Sequence, residues 1–263
     1  MKGLIYMSEL LQAAFIPFIG TAAGSACVFF MRGGLNDTVR KVLSAFAAGI
    51  MTAASVWSLL LPALEQSAEL EKFAFVPSAA GFIIGIIALT AIDELIVRLD
   101  KKRLSGNGTV KERASMLVLA VVIHNIPEGM AAGAVYAGLL SGDTSITLSA
   151  ALALVIGISI QNFPEGAIIS LPLRANGMKK RKAFLYGIYS GLAESMGAIV
   201  TIMAAELIVP ILPFLLSFAA GAMIYVVIKE LVPDFYAFPQ GRLCIPIFAI
   251  GFSVMMALDT ALG

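Results

Sequence analysis

Eight stretches of this 263-residue chain are apolar over lengths that can cross a bilayer. They lie near 7–31, 41–63, 76–98, 114–140, 147–173, 183–208, 211–232 and 243–262. Polar and charged residues gather between them. The pattern predicts an all-α polytopic membrane protein with eight transmembrane helices in one domain, 1–263. The first stretch outruns the apolar core of a signal peptide, and Ala22 to Cys27 makes a poor cleavage site, so a retained helix is predicted.

The charges between the stretches set an orientation. Arg32, Arg40 and Lys41 lie between the first and second. Arg98, Lys101, Lys102, Arg103, Lys111 and Arg113 lie between the third and fourth, and Arg174 and Lys179 to Lys182 between the fifth and sixth. Lys229 and Arg242 flank the last turn, while the opposite side holds only Lys2 and Lys72. Positively charged loops stay in the cytoplasm. Both termini and the 2–3 loop, with Glu65, Glu69 and Glu71, are therefore expected outside a cell membrane.

Composition agrees. The chain is 59% hydrophobic and 13% charged, with mean hydropathy +0.93, more apolar and less charged than a soluble domain. Nothing in it points to nucleic acid as a partner. Cys27 and Cys244 stand in separate apolar runs and suggest packing rather than a disulfide framework.

The chemistry concentrates in two near-copies within the apolar runs. One is His124-Asn125-Ile126-Pro127-Glu128-Gly129; the other is Gln161-Asn162-Phe163-Pro164-Glu165-Gly166. An acid at mid-bilayer costs about 2.5–3.5 kcal/mol on insertion scales and marks function by default. His124 is the only histidine in the chain. Residues four apart share a helix face, which pairs His124 with Glu128 and Gln161 with Glu165. Each proline frees the carbonyl four residues earlier, at Ile123 and Ile160, and predicts a kink. Imidazole, carboxylate, amide oxygen and freed carbonyl together read as a divalent-cation site.

Other polar residues enter the apolar runs. Glu194 lies among small residues in Gly191-Leu-Ala-Glu-Ser-Met-Gly197, where helices can approach closely. Glu230 follows Lys229, and either a metal role or an ordinary interfacial pairing fits it. Asp93, Glu94 and Asp259 suggest interface or salt-bridge roles, and core packing accounts for Met51.

The paired motifs resemble those of the ZIP (Zrt-, Irt-like protein) divalent-metal transporters, of bacterial type. The likeness covers essentially the whole chain. It implies an inverted 3+2+3 arrangement, with helices 4 and 5 between two symmetry-related triplets. It also implies a two-metal centre. His124, Glu128, Gln161 and Glu165 would hold the first metal, joined by Met51. Asn125, Asn162 and Glu194 would hold the second, with Glu128 and Glu165 bridging. Glu230 would serve the exit path. Transport toward the cytoplasm by an elevator-like shift, in a homodimer, is the family's expected mode. The chain departs from many relatives in its basic, histidine-free 3–4 loop, which suits anionic lipid headgroups. The neutral Asn162 leaves filling of the second position open.

The donor set has no thiolate, which excludes copper(I), and magnesium is disfavoured. Zinc, manganese, iron, cobalt and cadmium stay open as substrates. No cofactor is expected, and no phosphate-binding Gly-rich loop is present to indicate ATP hydrolysis. An intramembrane metalloenzyme using the same ligands is the rival reading. A single histidine leaves it no evident general base. A purely structural metal site is a third reading.

Overall fold

The computed structural model describes residues 2–30, 36–104, 110–142, 146–236 and 241–262. These residues form eight long helical segments and no strand. They are α1 Lys2–Phe30, α2 Asp37–Gln66, α3 Phe75–Leu104 and α4 Val110–Ser141, then α5 Leu148–Ala175, α6 Lys180–Met203, α7 Ala205–Tyr236 and α8 Gly241–Leu262. Among the described residues, seven of the segments are long and apolar enough to cross a membrane. The remaining one, α4, runs for 32 residues. The chain is an all-α, multi-pass membrane protein.

Local chemistry sets several ends. Asn36 Oδ1 accepts the Thr38 amide at 2.9 Å and Thr147 Oγ1 accepts that of Ala150 at 3.0 Å, capping α2 and α5. Gly142 and Gly177 follow α4 and α5 with φ of 82° and 91°, a conformation that glycine adopts freely. Both α4 and α5 continue through Pro127 and Pro164. One boundary differs from the sequence pattern. The sixth apolar stretch reaches 208, yet α6 ends at Met203 and residues 205–208 open α7. Ala204 leaves helical geometry at φ −92°, ψ 16°, and the exposed Glu206 two residues further on is the one charged mark beside the break. Residues 105–109 of the basic 3–4 loop lie outside the described residues, as do the side chains flanking them.

The segments sort into two sets. The strongest pairings are α1 with α5, α4 with α6 and α1 with α6 in one set, and α3 with α7 and α2 with α8 in the other. Exchanging α1 for α6, α2 for α7, α3 for α8 and α4 for α5 maps these pairings onto each other, as an internal repeat requires.

The repeat is visible in the residues. Phe46-Ala-Ala-Gly49 in α2 matches Phe218-Ala-Ala-Gly221 in α7, and Phe82-Ile-Ile-Gly85 in α3 matches Phe248-Ala-Ile-Gly251 in α8. A Cβ on Gly49 or Gly251 would overlap the carbonyl of Phe248 or Phe46; Gly221 and Gly85 stand the same way against Phe82 and Phe218. The spacing that carries Gly49 onto Gly221 also carries Met51 onto Met223 and Ser58 onto Glu230. Both helices then widen at matching residues into π turns, Ser55–Leu60 and Val227–Leu231. Such turns gather at functional sites.

The contacts within a set differ from those between sets. Gly20 and Gly24 of α1 lie on the carbonyls of Ser159 and Phe163 in α5, and Gly129 of α4 on that of Glu194 in α6. Across the boundary, Gly138 meets the side chain of Leu212, and Gly157 meets that of Met255. Inside each set backbone meets backbone at these glycines, although α1 side chains also reach Gly187 and Gly191 of α6; at the seam the contacts at Gly138 and Gly157 are with side chains.

Candidate metal site

The two motifs meet at the seam. A cavity of about 150 Å³ is lined by Met51 of α2, His124, Asn125 and Glu128 of α4, Gln161 and Glu165 of α5, and Glu230 of α7. Its remaining lining includes Ser44, Val121, Ile168 and Leu231, which lie toward the helix ends that carry the basic connections. Those ends are together in the fold. Lys180 Nζ donates to Phe29 O at 2.8 Å, joining the start of α6 to the end of α1, and Arg40 pairs with Asp234, joining the start of α2 to the end of α7.

A buried chain of amides links the carboxylates. Gln161 Nε2 donates to Glu128 Oε2 at 2.7 Å and also to Asn162 Oδ1. Asn162 Nδ2 donates to Glu194 Oε2 at 2.6 Å. The symmetry of the motifs extends to their backbone partners: Asn125 Nδ2 donates to Ser190 O at 3.3 Å, and Asn162 Nδ2 to Pro17 O at 3.4 Å. Ser190 then donates from Oγ to Glu165 Oε1 at 3.4 Å. On the other wall, His124 Nδ1 is 3.2 Å from Glu230 Oε1.

Glu194 is fully enclosed, whereas Glu165 is half-buried and the Glu230 side chain is 40% exposed. Within the two motifs and Glu194, two buried side-chain atoms have no protein partner, His124 Nε2 and Glu194 Oε1. An imidazole nitrogen and a carboxylate oxygen left unsatisfied cost stability unless something else engages them. Among the described residues, no three His, Cys, Asp or Glu side chains converge tightly enough to hold a metal as they stand. Gln161 and Asn162 stand between Glu128 and Glu194 and donate a hydrogen bond to each carboxylate. A terminal amide turns about a broad, two-fold torsion. Turning Gln161 and Asn162 would present oxygen where nitrogen now lies.

The structure thus brings Met51, His124, Asn125, Glu128, Gln161, Glu165 and Glu230 around one cavity and leaves Asn162 and Glu194 behind it. Glu230 pairs with His124, closer to the motif than an exit position alone requires. Asp93 and Glu94 have the expected salt bridges, Asp93 with Lys229 and Glu94 with Arg98. Asp259 has none among the described residues. Its Oδ1 accepts from Ser58 Oγ at 2.7 Å and its Oδ2 is buried without a partner. It lines a second cavity of about 300 Å³ with Trp57, Ser58, Glu65, Thr147 and Thr260 at the opposite end of the bundle. Along α5 the two cavities are separated by Leu154, Gly157 and Ile158, with Met255 packed over Gly157. Sequence reasoning missed Ser190, although it stands one turn before Glu194 on the same helix face. It also missed Ser44, which lines the cavity and donates to Asp234 at 2.7 Å.

Comparison with known proteins decides the family. The profile of the ZIP zinc transporters matches residues 100–259. The chain belongs to the ZIP family. It is 36% identical to zinc transporter ZIP11 of Xenopus tropicalis, over 92% of this chain and 94% of that one. Human zinc transporter ZIP11 is 33% identical over the full length of both. Zinc transporter ZIPB of Bordetella bronchiseptica is also 33% identical, over 94% of this chain and 79% of its own. Animal ZIP11 proteins match at least as well as bacterial ones, so the narrower bacterial-type assignment is not supported. Membership in this ZIP family makes the chain a transporter rather than an enzyme, which removes the intramembrane metalloenzyme.

Proposed function

We propose that the chain carries divalent transition-metal cations, zinc foremost, across the membrane through the cavity between the two motifs. The observation that carries this reading is the meeting of Met51, His124, Glu128, Gln161 and Glu165 around one cavity, with His124 Nε2 unpaired. The zinc-transporter names of its relatives support zinc as substrate; manganese, iron, cobalt and cadmium fit the same donors. A neutral imidazole nitrogen, carboxylates and amide oxygens suit borderline cations.

In this reading His124, Glu128, Gln161 and Glu165 hold the first metal with Met51, and Gln161 turns its oxygen inward as the cation arrives. Asn125, Asn162 and Glu194 hold a second metal, bridged by Glu128 and Glu165. Glu194 Oε1 is the free donor of that position. The second cavity, with Asp259 and Glu65, is the outer way in, and Glu230 marks the way out.

The eight segments all span the membrane as one unit, 1–263, with both termini outside and the basic loops in the cytoplasm. The set α1, α4, α5 and α6 moves as a block against α2, α3, α7 and α8, in a homodimer. The close backbone contacts inside each set support that division. Purified protein in proteoliposomes, given a panel of divalent cations, tests the reading. Uptake of zinc is the expected result. Retention of zinc without passage would leave only a structural metal site.

A further inference from the structure

Two neighbouring residues of the α7 π turn carry opposite charges and face opposite ways. Glu230 reaches across the seam to His124 and lines the cavity. Lys229 turns to α3, where its ammonium pairs with Asp93 Oδ2. The same oxygen accepts a hydrogen bond from Tyr225 Oη at 3.1 Å, and the Tyr225 ring centre lies 5.7 Å from the Lys229 ammonium. Asp93 and Tyr225 therefore hold the lysine from two sides. Glu94, next along α3, is engaged with Arg98 at 3.1 Å.

A salt bridge is not needed to join α3 to α7. Gly85 on the Phe218 carbonyl and Gly221 on the Phe82 carbonyl already do so. With the Lys229 side chain 47% exposed, the pair adds little to stability. Its consequence lies in where the lysine is not. Adjacent Cα atoms stand about 3.8 Å apart, and lysine carries its point charge on a flexible four-carbon stem. Released from Asp93, the ammonium could reach the Glu230 carboxylate and the cavity mouth. There it would draw Glu230 off His124 and repel any cation passing between them.

We propose that Asp93, assisted by Tyr225, is a lysine clamp: it positions Lys229 away from the cavity so that Glu230 stays free for His124 and for the passing cation. Asp93 is a positioning residue acting through Lys229. The proposal rests on the transport reading above for its functional effect, and on geometry alone for the clamp.

Two measurements on the full chain separate these. Acylation of Lys229 by acetic anhydride, followed by mass spectrometry, reads the clamp without metal. Asp93→Asn should raise the rate about fivefold, and an unchanged rate would overturn the clamp. Zinc uptake into proteoliposomes reads the consequence. Asp93→Asn should lower uptake about tenfold, while Lys229→Met and the double variant Asp93→Asn/Lys229→Met should stay within about twofold of wild type. A double variant as impaired as Asp93→Asn would overturn the proposal, because Asp93 would then act on its own account. A wild type that passes no cation would sink the transport reading, with the acylation result still deciding the clamp.

Discussion

Replacing Gln161 by leucine keeps the volume of the side chain and removes both of its donations. One goes to Glu128 at 2.7 Å; the other goes to Asn162. Both partners are buried, at 2% and 0% exposure. A hydrogen bond of this kind contributes about 0.5–1.5 kcal/mol. With two such bonds gone, the metal-free protein should lose roughly 1–3 kcal/mol, a fall in Tm of about 3–10 °C for a chain of this length. Zinc gives a second reading. At a hundred times Kd a ligand stabilises by about 2.7 kcal/mol. If losing one amide ligand weakens binding about tenfold, the same zinc concentration stabilises Gln161→Leu by only about 1.4 kcal/mol. Thermal unfolding of purified protein with and without zinc measures both quantities. A variant as stable as wild type without metal would refute the amide chain, and an undiminished zinc increment would refute Gln161 as a ligand.

Three further outcomes are expected. His124→Ala and Glu165→Ala should lower zinc uptake far more than Asn162→Ala, and near-wild-type uptake by His124→Ala would contradict the first-site assignment. Cysteines placed at Glu69 and at Asn176, both exposed, should react with an impermeant thiol reagent from opposite sides of the membrane, and labelling of both from one side would overturn the topology. Gly221→Val should destabilise by about 1–3 kcal/mol or more, as overpacking does, because its Cβ would overlap the Phe82 carbonyl; an unchanged Tm would mean that α3 and α7 are not so closely joined.

Much of this was legible in the sequence because membrane physics writes it plainly. Apolar runs of spanning length mark helices, and acids inside them mark a site. The two Pro-Glu-Gly motifs named the residues that the fold brings around one cavity. The packing was less legible. The Phe-x-x-Gly repeats look like ordinary apolar sequence until Gly49 and Gly221 are seen against Phe248 and Phe82. The end of α6 left only a faint mark, the single charge of Glu206 two residues past Ala204. The partners of Glu230 and Lys229 depend on a π turn that sends adjacent side chains to different helices, and no hydropathy pattern records that. Nor does spacing along a helix show that Gln161 and Asn162 lie between Glu128 and Glu194 with their nitrogens inward.

His124 supplies the most direct measurement. It is the sole histidine in the sequence, so any imidazole bound to the metal in tag-free protein must be its own. X-ray absorption at the zinc edge, on protein loaded with one equivalent, should show the multiple scattering of a single imidazole, lost in His124→Ala. A zinc-loaded wild type with only oxygen scatterers and no imidazole would contradict the site proposed here.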